Sequence, residues 1–314
     1  MAAKTVCVLG GTGFVGTHLV GMLSNRGYDV RVPTRNIERH RDLKVLPNAR
    51  LVEANVHDPR QLETVLRGAD VVVNLIGILN ESKRDSFVEV HTELPRRVVE
   101  ACKALGIPRL LHMSALHADK RGSSRYLQTK GRGEDLVHSL AGETLAVTSF
   151  RPSVIFGEGD GFLNRFATLI RLAPGVLPLA CADARFQPVY VGDVCERFTA
   201  AVDDEATHGQ RIDLCGPQIY TLRQLVEYTA RLTGRRVRIW ALPDWLARLE
   251  AGIMEWMPGK PFTMDNYRSL QTDSICSKNV QPCPTALEAI APKYLGRQDR
   301  EGQYQRYRSL ARRI

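Results

Sequence analysis

Thr5-Val6-Cys7-Val8-Leu9-Gly10-Gly11-Thr12-Gly13-Phe14-Val15-Gly16 is the stretch on which the fold is decided. A short apolar, β-branched run meets a glycine-rich turn. Beyond the turn, Val15, Leu19, Val20 and Leu23 recur at helical spacing through Phe14–Asn25, with Gly27 as the stop. A strand that turns on glycine straight into a helix opens a βαβ unit. In Gly10-x-x-Gly13-x-x-Gly16, Gly10 permits the tight turn and Gly13 lets the backbone approach a pyrophosphate. Gly16 lets the helix sit close on the strand. The N–H groups at the helix start then face the phosphates.

The alternation continues outward from this turn. Strands are expected at Asp29–Pro33, Arg50–Ala54, 70–76, Arg109–Met113 and 145–150. Helices are expected after Asp58-Pro59 (an acidic cap followed by proline at the first helical position), over 93–105 and over 126–140. Regular alternation implies right-handed crossovers and a parallel sheet, ordered 3-2-1-4-5-6. After Pro152 the segments become less regular. Thr221-Leu222-Arg223-Gln224 opens one further helix with a capping box, running to Leu232 and stopping at Gly234. The expected fold is α/β: a Rossmann doubly wound parallel sheet over residues 1–155. A smaller C-terminal α/β substrate or partner domain over 156–314 follows, with an interleaved boundary.

Ligands of such sheets bind at the carboxyl ends of the strands. Gly10, Thr12, Gly13, Phe14, Val15 and Gly16 are therefore candidate cofactor contacts. The second strand ends Val32-Pro33-Thr34-Arg35, with a guanidinium where an NAD site places a carboxylate. Arg35 suits a 2′-phosphate, and Arg39 and Arg41 add positive field, so NADP(H) is expected in preference to NAD(H). Asn55 and Val56 after strand three edge the adenine. Leu75, Ile76 and Gly77 after strand four pass close to the ribose. Tyr126-Leu127-Gln128-Thr129-Lys130 puts a phenol and an ammonium on one face at a helix start.

That Tyr-x-x-x-Lys after this glycine turn resembles the short-chain dehydrogenases. The run Ser123-Ser124-Arg125-Tyr126-Leu127, Lys130, Gly133-Glu134, then Arg151-Pro152-Ser153-x-Ile155-Phe156-Gly157 and Gln187-Pro188-Val189-Tyr190, narrows the likeness. It resembles the atypical branch of the NAD-dependent epimerase/dehydratase superfamily. That branch holds the nucleotide-binding accessory subunit of mitochondrial complex I and its bacterial relatives. The resemblance implies that Lys130 binds nicotinamide ribose and lowers the pKa of Tyr126, the proton donor. It also implies that Ser114, which stands where the family often has a more structural serine, or a neighbour such as Ser123 or Ser124 holds the substrate, and that Pro152, Ser153 and Val154 contact the cofactor. Two positions depart from the pattern: Leu116 stands where the catalytic serine belongs, and His91 lies near the motif asparagine. The resemblance therefore implies an accessory, assembly or redox-sensing subunit linked to complex I or quinone metabolism. The alternative is an NADPH-dependent oxidoreductase acting on a small apolar carbonyl or quinone-pathway intermediate.

The rest of the composition bounds this reading. The 314 residues include 44% apolar and 25% charged residues, ordinary for a globular chain. No apolar run reaches the roughly 20 residues that span a bilayer, and Met1–Lys4 is too short for a leader before the first strand. Seven cysteines without Cys-x-x-Cys spacing are expected as free thiols in a reducing compartment. No metal site is expected. His112, His117 and His138 have no evident catalytic partner, and Asp193 is expected as a helix N-cap. The net charge is +9, concentrated in a basic tail of Lys293, Arg297, Arg300, Arg306, Arg308, Arg312 and Arg313. The tail is either solvated or suited to an anionic surface; nucleic acid is not expected. Trp245, Leu246, Leu249, Ile253, Trp256 and Met257 recur at helical spacing, with Trp240 upstream. The segment is either a lid packed on its own domain or a surface for a membrane, a quinone-like ligand or a partner subunit. The expected setting is cytoplasmic, including the inner face of the membrane.

Overall fold

The computed structural model of the protein describes residues 3–82, 85–173, 175–256 and 262–296. The arginines at 297, 300, 306, 308, 312 and 313, and Met257, lie outside the described residues. The chain divides into two compact units: Met1–Pro152 with Val191–Leu214, and Ser153–Tyr190 with Cys215–Ile314.

In chain order the first unit runs β1 (Thr5–Leu9), α1 (Phe14–Asn25), β2 (Asp29–Thr34), β3 (Ala49–Glu53), α2 (Pro59–Leu66) and β4 (Val71–Asn74). It continues through α3 (Leu94–Ala104), β5 (Arg109–Met113), α4 (Arg125–Ala141) and β6 (Ala146–Pro152). The second unit then takes β7 (Ile155–Phe156), α5 (Leu163–Leu172), β8 (Val176–Leu179), β9 (Arg185–Phe186) and β10 (Val189–Tyr190). The chain returns to the first unit with α6 (Val191–Ala200) and β11 (Arg211–Leu214). It ends in the second unit with β12 (Tyr220–Thr221), α7 (Leu222–Leu232), β13 (Arg238–Ala241), α8 (Asp244–Met254), α9 (Met264–Ser269) and α10 (Leu287–Leu295).

The first unit's sheet is parallel throughout, ordered β11-β6-β5-β4-β1-β2-β3. The expected order 3-2-1-4-5-6 is present, extended at one edge by β11. Its direction of winding reverses between β1 and β4, where such sheets bind ligands. β1, β4 and β5 are almost wholly buried, as strands covered on both faces must be. One apolar layer joins Leu62 and Leu66 of α2, Leu94 and Val98 of α3, and Val137 of α4 to the sheet. Arg109 ties the returning segment to the sheet, donating to Thr148 Oγ1 (2.7 Å), Thr207 Oγ1 (2.7 Å) and the Ala201 carbonyl (3.0 Å).

The second unit has its own core of Phe156, Leu163, Ile170, Leu177, Leu222, Leu225 and Leu287. Buried Asp160 organises it, accepting from Leu163 N (2.7 Å), Phe162 N (2.9 Å) and the Tyr294 hydroxyl (2.7 Å). α7 has the expected capping box between Thr221 and Gln224.

Two expectations are corrected. Asp193 is not an N-cap: α6 begins at Val191, so Asp193 sits within the first turn, where its negative charge still favours the positive end of the helix dipole. The cysteines are not all free thiols. Cys215 and Cys276 form a disulfide across 61 residues of sequence, a distance at which spacing carries no signal.

Helix α4 packs closer than a side chain allows. A Cβ at Gly133 would lie 1.8 Å from the His91 carbonyl oxygen, and one at Gly131 would lie 2.6 Å from the backbone of Asp119. Gly133→Ala is therefore expected to destabilise the first unit by about 2–3 kcal/mol, read as a lower midpoint of urea unfolding. An unchanged midpoint would contradict the packing.

Candidate functional site

The turn after β1 is built as its glycines require. Gly10 has φ +79°, and Gly13 N donates to the Gly10 carbonyl at 3.0 Å. A Cβ at Gly16 would meet that same carbonyl oxygen at 2.2 Å, so only glycine lets α1 lie this close. Gly13 is the N-cap of α1, no side chain caps it, and no acidic residue stands in the first turn. The N–H groups of Phe14, Val15 and Gly16, with Thr12 beside them, are thus open to an anion at the positive end of the helix.

Arg35 is the first residue beyond β2. Its side chain is exposed and makes no ion pair or hydrogen bond among the described residues. It lines a cleft of about 210 Å³ together with Glu53, Ala54, Asn55 and Gln61. Asn55 is held there, its N–H donating to Gln61 Oε1 at 2.9 Å, and half-buried Val56 follows it. Two features of this region differ from the sequence reading. Arg41 does not add free positive field, because Glu38 binds it at 2.6 Å through Nε and also takes Lys44 at 3.4 Å. A carboxylate does stand at the cleft: Glu53 ends β3 in register with Thr34 of β2. That register is a property of strand pairing and is invisible in the linear sequence.

Across β4 and β5 the second cluster assembles. Asn74, buried at the end of β4, accepts from Ile76 N at 3.2 Å, and Leu75 N donates to the Leu9 carbonyl. This brings Gly77 against two side chains: a Cβ there would stand 3.5 Å from Lys130 Nζ and 3.6 Å from His91 Nε2. His91 lies in a π-helical turn, Glu89–Glu93, ahead of α3. Its Nε2 accepts from Ile78 N at 3.1 Å, so the ring proton resides on Nδ1, facing Thr129 Oγ1 at 3.1 Å. Burial, reinforced by the nearby Lys130 charge, lowers the His91 pKa to about 2. The imidazole is neutral at any physiological pH and acts as a fixed hydrogen-bonding wedge. Its ring meets Tyr126 edge-on at 5.4 Å and stacks on Phe87.

Lys130 is buried and donates to the Met113 carbonyl at 2.7 Å, leaving two of its N–H groups without an acceptor among the described residues. Burial lowers its pKa to about 8, against the opposing pull of Glu134. Tyr126 moves the other way, raised to about 12 by burial.

Ser114 is engaged elsewhere on α4. Its hydroxyl donates at 2.7 Å to Oε2 of Glu134, which is fully buried and also accepts from Arg151 Nε at 2.8 Å. The role of substrate holder expected for Ser114 does not fit a hydroxyl whose proton is committed to an interior carboxylate. Leu116, two residues on, is buried and apolar, and Ser124 is the N-cap of α4. Pro152 ends β6, its carbonyl accepting from Leu116 N at 2.9 Å. Ser153 and Val154 fall in the second unit, where Ser153 Oγ donates to the Ser274 carbonyl at 2.8 Å and the Val154 carbonyl accepts from Val189 N.

The comparisons with known proteins agree with this frame. The chain is 31% identical over 297 residues to NADH dehydrogenase (ubiquinone) 1 alpha subcomplex subunit 9, mitochondrial, of Mus musculus, covering 90% of this chain and 78% of that one. Its identity to the Arabidopsis thaliana protein of the same name is 32% over 288 residues, covering 87% and 71%. A ceramide reductase of Caulobacter vibrioides is 29% identical over 246 residues, covering 77% and 75%. Among solved structures, the UDP-glucuronic acid 4-epimerase of Bacillus cereus, crystallised with UDP-glucuronic acid and NAD, superposes with a TM-score of 0.66. It shares 16% identity and covers 85% of this chain and 99% of that one, which shows a common fold. Residues 6–215 match the NAD dependent epimerase/dehydratase family, and the chain belongs to that family of NAD(P)-binding proteins.

Proposed function

We propose that the protein holds NADP(H) in its first unit as an accessory, assembly or redox-sensing component linked to respiratory complex I or quinone metabolism. It would work in the cytoplasm or on the inner face of the membrane. The observation that carries this reading is the split fate of the site. The holding groups are in place: the open helix start at Gly13, the exposed Arg35 guanidinium, and Lys130 with two N–H groups to give. The serine of the reaction is not: the Ser114 hydroxyl is given to Glu134, and Leu116 is a buried hydrocarbon. A phenol raised to about 12 is a weak general acid at neutral pH. The mouse and Arabidopsis relatives are named as complex I subunits, which supports the partner.

These residues fit the cofactor. Arg35 would pair with the 2′-phosphate, the N–H groups of Phe14 to Gly16 with the pyrophosphate, and Lys130 with the nicotinamide ribose. When bound, the nicotinamide supplies a two-electron hydride couple. Preference for NADP(H) rests on Arg35 outweighing Glu53 in the shared cleft.

A second reading has its own support. Tyr126 and Lys130 remain on one helix face, and a relative of similar coverage is named a reductase. In this reading Tyr126 donates the proton to a carbonyl oxygen of an apolar substrate.

The two are separated by purification from the native cell at moderate salt. Co-purification with respiratory subunits and stoichiometric NADPH is the expected result. Recovery as free protein that oxidises NADPH with a long-chain or quinone-type carbonyl, and loses this in Tyr126→Phe, would establish the reductase instead. For cofactor choice, Arg35→Ala should weaken NADPH about ten- to a hundredfold with little change for NADH, measured by titration calorimetry. Glu53→Gln should strengthen NADPH. Equal losses of both nucleotides in Arg35→Ala would remove the assignment.

Lys130 also carries a pH signature. Its folded pKa, about 8, lies below the unfolded value of 10.5, so the unfolded chain binds the extra proton between those pH values. Its contribution to stability is unfavourable below pH 8 and is relieved as the pH rises towards 10.5. The stability difference between wild type and Lys130→Met is therefore expected to move in favour of wild type over that window. A constant difference would contradict the burial of a charged amine.

A further inference from the structure

Helix α8 is packed the wrong way round for a helix that ends at water. Its buried positions are the small ones, Ala247 and Ala251, set against Ala180 and Tyr267 of the second unit. Its large apolar residues face outward: Trp245 is 68% exposed, Leu249 52% and Ile253 60%, at i, i+4 and i+8, followed by Trp256 at 91%. The helix thus packs on its own unit through its alanines, as the lid reading expects, while the stripe of Trp245, Leu249, Ile253 and Trp256 is left outside that packing.

The preceding ribbon repeats the pattern. β13 pairs with β8 so that exposed Trp240 stands opposite exposed Pro178, and exposed Arg238 opposite exposed Val176. Leu172, at the end of α5 just before β8, is also exposed. Exposed large apolar residues on this scale mark an interaction surface.

Charge identifies what it meets. Residues 231–256 carry five arginines against Asp244, Glu250 and Glu255, and Asp244 is already paired with Arg248. Arg235, Arg236 and Arg238 are exposed and make no ion pair among the described residues, and neither does half-buried Arg171 beside Leu172. Unpaired arginines flanking exposed tryptophans are the composition of a segment seated at an anionic bilayer surface. There the indole sits at the headgroup level and the guanidinium meets lipid phosphate. No described helix is long and apolar enough to cross a membrane. We propose that the α8 face and the β8–β13 ribbon of the second unit form a docking surface for an anionic phospholipid bilayer. It does not rest on the nucleotide reading, since none of these residues belongs to the first unit.

The chain has three tryptophans, Trp240, Trp245 and Trp256, and all lie in this segment, so selectively excited tryptophan emission reports on it alone. The full chain would be titrated with vesicles of phosphatidylcholine alone, of phosphatidylcholine with phosphatidylglycerol, and of the mixture with brominated acyl chains. Expected results are blue-shifted emission with the anionic vesicles, quenching by the brominated lipid, and weakening in high salt. Leu249→Gln with Ile253→Gln, both exposed, should weaken partitioning by about tenfold or more. Each of Arg235→Gln, Arg236→Gln and Arg238→Gln should weaken it about fivefold. Far-UV circular dichroism and the urea midpoint serve as the folding control for every variant. Vesicle binding with unchanged tryptophan emission would assign the contact to another part of the chain and overturn the proposal. So would no vesicle binding together with a dimer, seen by sedimentation, that Leu249→Gln with Ile253→Gln dissolves.

Discussion

The Tyr126–Lys130 half of the first unit's site depends on one buried carboxylate. Glu134 lies inside α4, accepts the Ser114 hydroxyl from the segment after β5 and is clamped by Arg151 from β6, with Arg211 of β11 a further 3.6 Å away. A carboxylate with no exposure is tolerable only when its lone pairs are filled and its charge is matched, and here both conditions are met. The network pins α4 to the ends of three adjacent strands. Gly131 and Gly133 let the helix approach closely enough for it to form. Tyr126 and Lys130 are carried on the same helix, so their placement follows from this docking. The same network explains why Ser114 is unavailable for chemistry: a serine that braces the helix cannot also present its proton to a ligand.

Most of the frame was legible in the residues. A run such as Thr5–Leu9 before glycine is a strand because β-branched side chains fill a doubly covered sheet. Gly16 is a contact glycine because no other residue lets a helix cross a strand so closely. The strand order followed from the alternation of elements. What escaped was decided by register and tertiary packing. Glu53 enters the Arg35 cleft only because β3 pairs with β2 at Thr34. Cys215 finds Cys276 only after the second unit has folded. The α8 stripe reads the same in sequence whether it faces inward or outward; Ala247 and Ala251 were the available signal, since small residues on one side permit close packing and leave the large ones out. The His91 turn was noticed as a departure, but its π-helical geometry, which aims the ring at Ile78 and Thr129, is not encoded in spacing.

The balance of charge at the Arg35 cleft shows how a nucleotide preference can be set by subtraction. Of the three arginines in residues 35–41, Arg41 is held by Glu38, while the Arg39 and Arg35 side chains are left without partners among the described residues. An unpaired guanidinium at the surface keeps its hydration until a phosphate arrives, and the bidentate geometry it can then adopt is specific for that group. Glu53 opposes it in the same cleft, so the proposed preference would be the difference of two neighbouring terms, and each can be altered separately.

Proton affinities bear on whether such a site holds or reacts. General acid catalysis works best when the donor's pKa lies near the operating pH. Here the phenol of Tyr126 is pushed up to about 12 and the ammonium of Lys130 down to about 8 by the same burial, which inverts their usual order. A proton on Tyr126 is firmly kept, and the charge on Lys130 is the more easily lost. Lys130 spends one N–H on the Met113 carbonyl, and neutral His91 fills the space beside it, which fixes the amine in position without making the phenol a better acid. Rigid donors aimed at a ligand's hydroxyls, next to an acid that does not readily release its proton, suit retention of the ligand more than turnover. The proposed holding role would therefore draw on desolvation of the whole Tyr126–Lys130 face, with the committed Ser114 hydroxyl as its companion.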